Sequence, residues 1–264
     1  MRVAVAKTYK LYVGGAFVRS ESGRHDPVHG PDGEHVANVP RGSRKDVRDA
    51  VKAARGAAGG WAAKTAYNRG QVLYRAAEAL ESRASEFGDD VGAAIDTLVH
   101  YAGWTDKLHA VLGTVNPVAA PFLSMSTPEP TGVVAVLMGR EVSLAELVEG
   151  LAAPLAAGDV VVVVLPEDDP LPGLDLGEVL GVSDIPGGVV NLLSGRAAEL
   201  VPALAAHRDV NAIVDLTGDA ELAVQVDTFA AETLKRVVRG PGHTPLEKLA
   251  ALTEVRTVWH PIGA

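Results

Sequence analysis

From Gly132 to Val238, short continuous apolar runs alternate with segments of helical period. That alternation constrains the fold more than any other feature of the chain. Val133–Leu137 is apolar throughout, the mark of a strand buried on both faces. Ser143 and Glu146 then form an S-x-x-E capping box, and Leu144, Leu147, Val148, Leu151 and Leu155 follow at helical spacing. Gly158 stops that helix, and Val160–Leu165 is a second buried run. The pattern continues with a helix over Leu174–Leu180, a strand over Val189–Leu193 and a helix over Ala197–Ala206. A strand over Ala212–Leu216, a helix opened by Thr217-Gly218 and a strand over Lys235–Val238 complete it. Right-handed crossovers turn such an order into an α/β fold, a doubly wound parallel sheet with helices on both faces.

The first half of the chain reads differently. Leu11, Val13, Phe17 and Val18 surround Gly14-Gly15, a hairpin signal. The polar stretch Ser20–Gly33 is expected to be a long loop or a second hairpin. Ser43 can cap a helix whose Val47, Val51 and Ala54 share one face, ended by Gly59-Gly60. A second helix is expected over Tyr67–Phe87, and further helical pattern covers Asp89–Val111. Gly113–Pro130 holds four prolines and reads as a connector. After a helix over Pro245–Leu252, Val255–Trp259 is β-prone with no pairing partner nearby in sequence, so it is expected to join a strand elsewhere, in this chain or another.

Composition closes off several functions. A net charge of −9 disfavours a phosphate backbone, so no nucleic acid partner is expected. There is no cysteine, which removes disulfides, zinc–thiolate sites and thiol nucleophiles from the 264 residues. Val160–Leu165, the longest strongly apolar run, is too short to span a bilayer, so no membrane partner is expected. The opening MRVAVAKTYK lacks a signal-peptide core, leaving the cytoplasm as the default location. Among the eight histidines only His25 and His29 are four apart; with His35 they share a Pro-containing stretch that reads as surface rather than as a metal site.

Several blocks, in order along nearly the whole chain, resemble the aldehyde dehydrogenase family. They are YKLYVGGAFVRSESG (Tyr9–Gly23), WAAKTAYNRGQVLYRAAEALESR (Trp61–Arg83), HYAGWTDKLH (His100–His109), GVVAVLMGREVSLAELVEGLAAPLAAGDVVVVV (Gly132–Val164), IPGGVVNLLSG (Ile185–Gly195), DVNAIVDLTG (Asp209–Gly218) and LTEVRTVWHP (Leu252–Pro261). The resemblance implies a Rossmann-like cofactor-type domain over residues 41–252. It also implies a β-flap for oligomerisation built from residues 1–40 with 253–264. The family's blocks normally continue into a catalytic domain, whereas here LKRVVRGPG (Leu234–Gly242) is followed almost directly by the terminal segment. The layout therefore resembles the cysteine-free, non-catalytic second half of the two-part aldehyde dehydrogenases, with the catalytic domain absent.

Placed on the family's motifs, the residues argue against its chemistry. The reaction needs a thiolate to attack the aldehyde, and this chain has none. The oxyanion-stabilising P-W-N stretch corresponds to Gly139-Arg140-Glu141, where Glu141 can only accept hydrogen bonds and reads as a solvent-facing acid. The general-base E-L-G-G stretch corresponds to Arg239-Gly240-Pro241-Gly242, without a carboxylate. The ribose-binding lysine falls on Val164, while the following acid survives as Glu167. The G-x-x-x-x-G after the fourth strand becomes Gly218 followed by Ala223. Glu167, Thr217 and Gly218 are the degenerate cofactor-binding candidates. Asp219 and Glu221 already complement the helix dipole there, so no cofactor is required and NAD binding is possible but weakened.

The resemblance thus implies a non-catalytic subunit, a homo-oligomer or a hetero-oligomer with a full-length catalytic aldehyde dehydrogenase. Tyr12, Phe17, Val255, Val258 and Trp259 are its interface candidates, apolar residues on otherwise open sheet edges. The alternative is an NAD-binding module, or an oxidoreductase component active only in complex. An enzyme of different chemistry finds no nucleophile–base or metal constellation to support it.

Overall fold

The computed structural model describes residues 5–30, 32–239 and 243–263. The chain opens with β1 (Lys7–Thr8), the hairpin β2 (Leu11–Val13) and β3 (Ala16–Val18), and a second hairpin, β4 (His25–His29) and β5 (His35–Pro40). Helices α1 (Arg44–Ala62), α2 (Ala66–Glu81), α3 (Val91–Trp104) and α4 (Leu108–Leu112) follow, then β6 (Thr114–Asn116) and β7 (Phe122–Pro130). The alternating half runs β8 (Val133–Leu137), α5 (Leu144–Ala157), β9 (Val160–Val164), α6 (Leu171–Val182), β10 (Val190–Leu193), α7 (Ala197–Ala205), β11 (Ala212–Asp215), α8 (Ala220–Ala231) and β12 (Arg236–Arg239). It closes with α9 (Pro245–Ala251) and β13 (Thr253–Pro261).

The main sheet has the order β12-β11-β8-β9-β10-β2-β3. Its first five strands are parallel. Chain order therefore reverses between β8 and β11, the switch point of a doubly wound sheet. β8 and β9 are buried at all five positions each, as their unbroken valine-rich runs require. Each such valine contributes on the order of 1.5–3 kcal/mol by leaving water. The capping box of α5 forms as expected: Ser143 Oγ accepts from Glu146 N, and the Glu146 carboxylate accepts from Ser143 N. Gly158 ends the helix at φ 101°, where a Cβ would also strike Pro130 at 2.7 Å.

Four expectations need correction. Helix α1 does not stop at Gly59-Gly60 but continues to Ala62. Burial of Trp61, whose indole N–H donates to Leu155 O at 3.1 Å, outweighs the helix penalty of about 1 kcal/mol per glycine. The expected connector Gly113–Pro130 contains β6 and β7, because β13 supplies a nine-residue antiparallel partner for β7 from Thr253↔Pro130 to Pro261↔Phe122. Helix α8 is capped by Asp219, not opened by Thr217-Gly218.

The fourth correction concerns the flap. The N-terminal hairpin and the C-terminal strand lie in different sheets. β2 pairs antiparallel with β10 and extends the main sheet, whereas β13 forms the order β13-β7-β6. The hairpin is held there by particular contacts. Asn191 Oδ1 accepts from Gly14 N at 2.9 Å, and α6 presents two glycines to the aromatic rings. A Cβ on Gly181 would sit 3.3 Å from Phe17 and 3.6 Å from Tyr12, and one on Gly177 3.4 Å from Tyr12. Tyr12 is 2% exposed as a result, so it is a core residue of this chain and not an open-edge one.

Candidate functional site

The crevice outside the carboxyl ends of β8 and β11 is where doubly wound sheets place their ligands. A cavity of about 650 Å³ lies there, between α5 and α8 and beside β12 and α9. Met138 follows β8 into it and Leu216 follows β11, so both reach it as direct extensions of buried strands.

Its polar groups are bound to one another. Asp215, at the end of β11, has its side chain almost fully enclosed. It accepts from Thr217 N at 3.1 Å, Thr217 Oγ1 at 2.7 Å and Arg239 Nε at 2.8 Å. Arg239 also donates to Asp227 at 2.7 Å and to Ala223 O at 3.1 Å. Burial works against the Arg239 charge, but the Asp215 and Asp227 carboxylates outweigh it and raise its pKa further. Lys248 of α9 pairs with Glu149 of α5 at 2.7 Å, and Tyr101 donates to the same carboxylate at 3.3 Å. Burial and the neighbouring Glu149 push the Tyr101 phenol well above its ordinary range.

The expected cofactor residues are only partly brought together. Thr217 and Gly218 line the crevice; among the described lining residues Glu167 is absent. Glu167 instead accepts from Ala197 N at 3.0 Å, satisfying a free donor at the start of α7. Val164 is buried in β9, and Ala223 is on the crevice wall. Arg140 and Asp168 form a two-point pair at 2.8 and 2.6 Å that ties the loop after β8 to the loop after β9, with Glu141 exposed beside it. Gly240, Pro241 and Gly242 lie outside the described residues.

The residues do not fit a dinucleotide well. A diphosphate would need the free N–H groups at the start of α8. Asp219 already accepts from Glu221 N at 2.8 Å and Leu222 N at 3.1 Å, and adds its own negative charge. Gly218 adopts φ 65° with open space where a Cβ would stand, so it admits no closer approach than another residue in that conformation would. At the family's general-base stretch the described residue is Arg239, a permanent cation that can only donate. The Asp215–Arg239–Asp227 cluster was not singled out from the sequence. Its one signal is an arginine standing where the family's motif has a carboxylate.

Fold and crevice together define a Rossmann-like domain of the dinucleotide-binding class. The family model described as "Aldehyde dehydrogenase family" matches residues 17–242. Retinal dehydrogenase 2 of Gallus gallus is 31% identical over 252 residues, covering 88% of this chain and 48% of that protein. The NAD+ complex structure of aldehyde dehydrogenase from Bacillus cereus superposes with a TM-score of 0.79 at 27% identity, over 87% of this chain and 50% of that one. The crystal structure of HpcC from Thermus thermophilus gives 0.80 at 29% identity, over 87% and 47%. The chain belongs to the aldehyde dehydrogenase family, and it spans about half the length of these relatives.

These matches overturn the expected likeness to the cysteine-free half of a two-part enzyme. The family match is one continuous stretch, and the chain superposes on the NAD+ complex of an aldehyde dehydrogenase over 87% of its own length. The chain carries no cysteine to serve as the family's nucleophile. No described helix is long and apolar enough to cross a membrane, and no cluster of metal-binding side chains occurs among the described residues.

Proposed function

We propose that this chain acts as a non-catalytic aldehyde dehydrogenase-family subunit that assembles with itself or with a full-length catalytic aldehyde dehydrogenase, and needs no cofactor for that role. The observation that carries this reading is the outer edge of β13. The strand is nine residues long, terminates its sheet, and is exposed at every position after Thr253. Val255 is 70%, Val258 41% and Trp259 58% exposed. An edge of that length carrying apolar side chains is a template for another chain. Phe17, 41% exposed on β3 at the far end of the main sheet, is a weaker candidate, and Tyr12 leaves the interface set because the protein's own core covers it.

Light scattering of the purified protein, alone and mixed with a full-length aldehyde dehydrogenase of the same source, tests the proposal. The expected result is a mass of two or more chains in at least one sample, reduced to the monomer by Trp259→Asp. A monomer in both samples overturns it.

A further inference from the structure

We infer that the crevice between α5 and α8 takes an uncharged, apolar small molecule rather than a dinucleotide. The first argument is size and wall chemistry. About 650 Å³ is the volume of a drug-sized ligand site, and Met138, Val142, Pro154, Leu216, Val238 and Leu252 line it. Gly150 lets α5 pack closely over the apolar floor: a Cβ there would stand 3.2 Å from Val136, 3.4 Å from Met138 and 3.7 Å from Leu216.

The second argument is that the wall offers a ligand no spare charge. Arg239 is bound to Asp215 and Asp227, and Lys248 to Glu149. Glu146 is held by Ser143 N at 2.8 Å, and Asp219 by the first turn of α8. The lining carboxylates Glu146, Glu149, Asp215 and Asp219 outnumber the lining cations Arg239 and Lys248, both already paired, so an anion entering meets a negative field. A phosphate would have to break an existing ion pair or displace Asp219 from its cap. An uncharged apolar molecule breaks nothing and gains the burial of its own surface.

Titration with the neutral dye Nile red, with NADH as competitor, tests this. The expected result is saturable dye emission that NADH does not reduce. Ala223→Trp, on the half-buried crevice face of α8, should weaken dye binding at least tenfold while the cooperative melt is retained. Val142→Trp, from the opposite wall, is the second variant should the first fail to fold. Displacement of the dye by NADH overturns the inference. So does absence of saturable binding, or binding unchanged in a folded crevice variant, which would place the dye on an exposed apolar surface such as β13. None of these readouts depends on oligomeric mass, so failure here leaves the assembly proposal standing, and the reverse.

Discussion

The N-terminal hairpin and the C-terminal strand are both β segments carrying an aromatic ring, and the protein treats them in opposite ways. Tyr12 of β2 is buried and Trp259 of β13 is more than half exposed. Ring size and strand propensity do not separate them. What differs is the surface each one meets. The hairpin lies beside β10 under a helix whose Gly177 and Gly181 leave room for rings. β13 has β7 on one side, and its ring stands edge-on to Phe122 at a centroid distance of 6.0 Å, more than half exposed. A β segment thus becomes core where a receiving surface exists and an interface candidate where none does.

Breaking the buried side should have the largest effect. Tyr12→Ala is expected to cost about 3–5 kcal/mol, the range for deleting a buried aromatic ring. Trp259→Ala should stay within about 0.5 kcal/mol in the isolated chain. Urea denaturation of both variants measures the contrast, and equal losses would mean that β13 packs within the chain after all. Filling the receiving surface is the next test. Gly181→Leu drives a side chain into the space held by Phe17 and Tyr12, and is expected to cost about 1–3 kcal/mol by overpacking despite better helix propensity. A stabilised variant would show that the hairpin docks loosely.

The smallest expected effect lies at the turn between β7 and β8. There Asp159 Oδ1 accepts from Gly132 N at 2.7 Å, while its Oδ2 and the Nε of Arg69 are buried without partners among the described residues. Burial drives the Asp159 pKa well up and the Arg69 pKa down. A carboxyl whose folded pKa is raised binds its proton more tightly when folded. Its contribution is therefore most favourable below the unfolded value of about 3.9 and is lost as pH rises from there through the folded pKa. Asp159→Asn should remove that loss. Denaturation midpoints from pH 4 to pH 8 are expected to fall less steeply in the variant than in the parent, and parallel curves would show that Asp159 titrates normally.

The crevice shows how far residue patterns reach into a site. Thr217 and Gly218 follow from the resemblance to the family's glycine motif after the fourth strand, and both line the cavity. Glu167 follows from the resemblance of Gly158–Pro170 to the family's ribose-binding stretch, yet its carboxylate serves the α7 backbone. Its role depends on where a helix thirty residues later begins. Arg239 and Asp215 are neighbours only because β11 and β12 pair in register, Asp215↔Arg239. No spacing along the chain reveals that ion pair.

The alternating half of the chain was legible in its residues. The apolar runs of β8 and β9, the Ser143–Glu146 box and the Gly158 stop each depend on atoms a few residues apart. The lack of the family's cysteine is equally legible, since a missing thiol needs no coordinates. Long-range pairing settled the rest. Whether Gly113–Pro130 was connector or strand depended on β13, whether α1 passed Gly59-Gly60 depended on Trp61 reaching Leu155, and whether Tyr12 faced solvent depended on two glycines of α6. Caps and periodicity are encoded in neighbours along the chain, whereas burial belongs to whichever distant surface the fold brings against a residue.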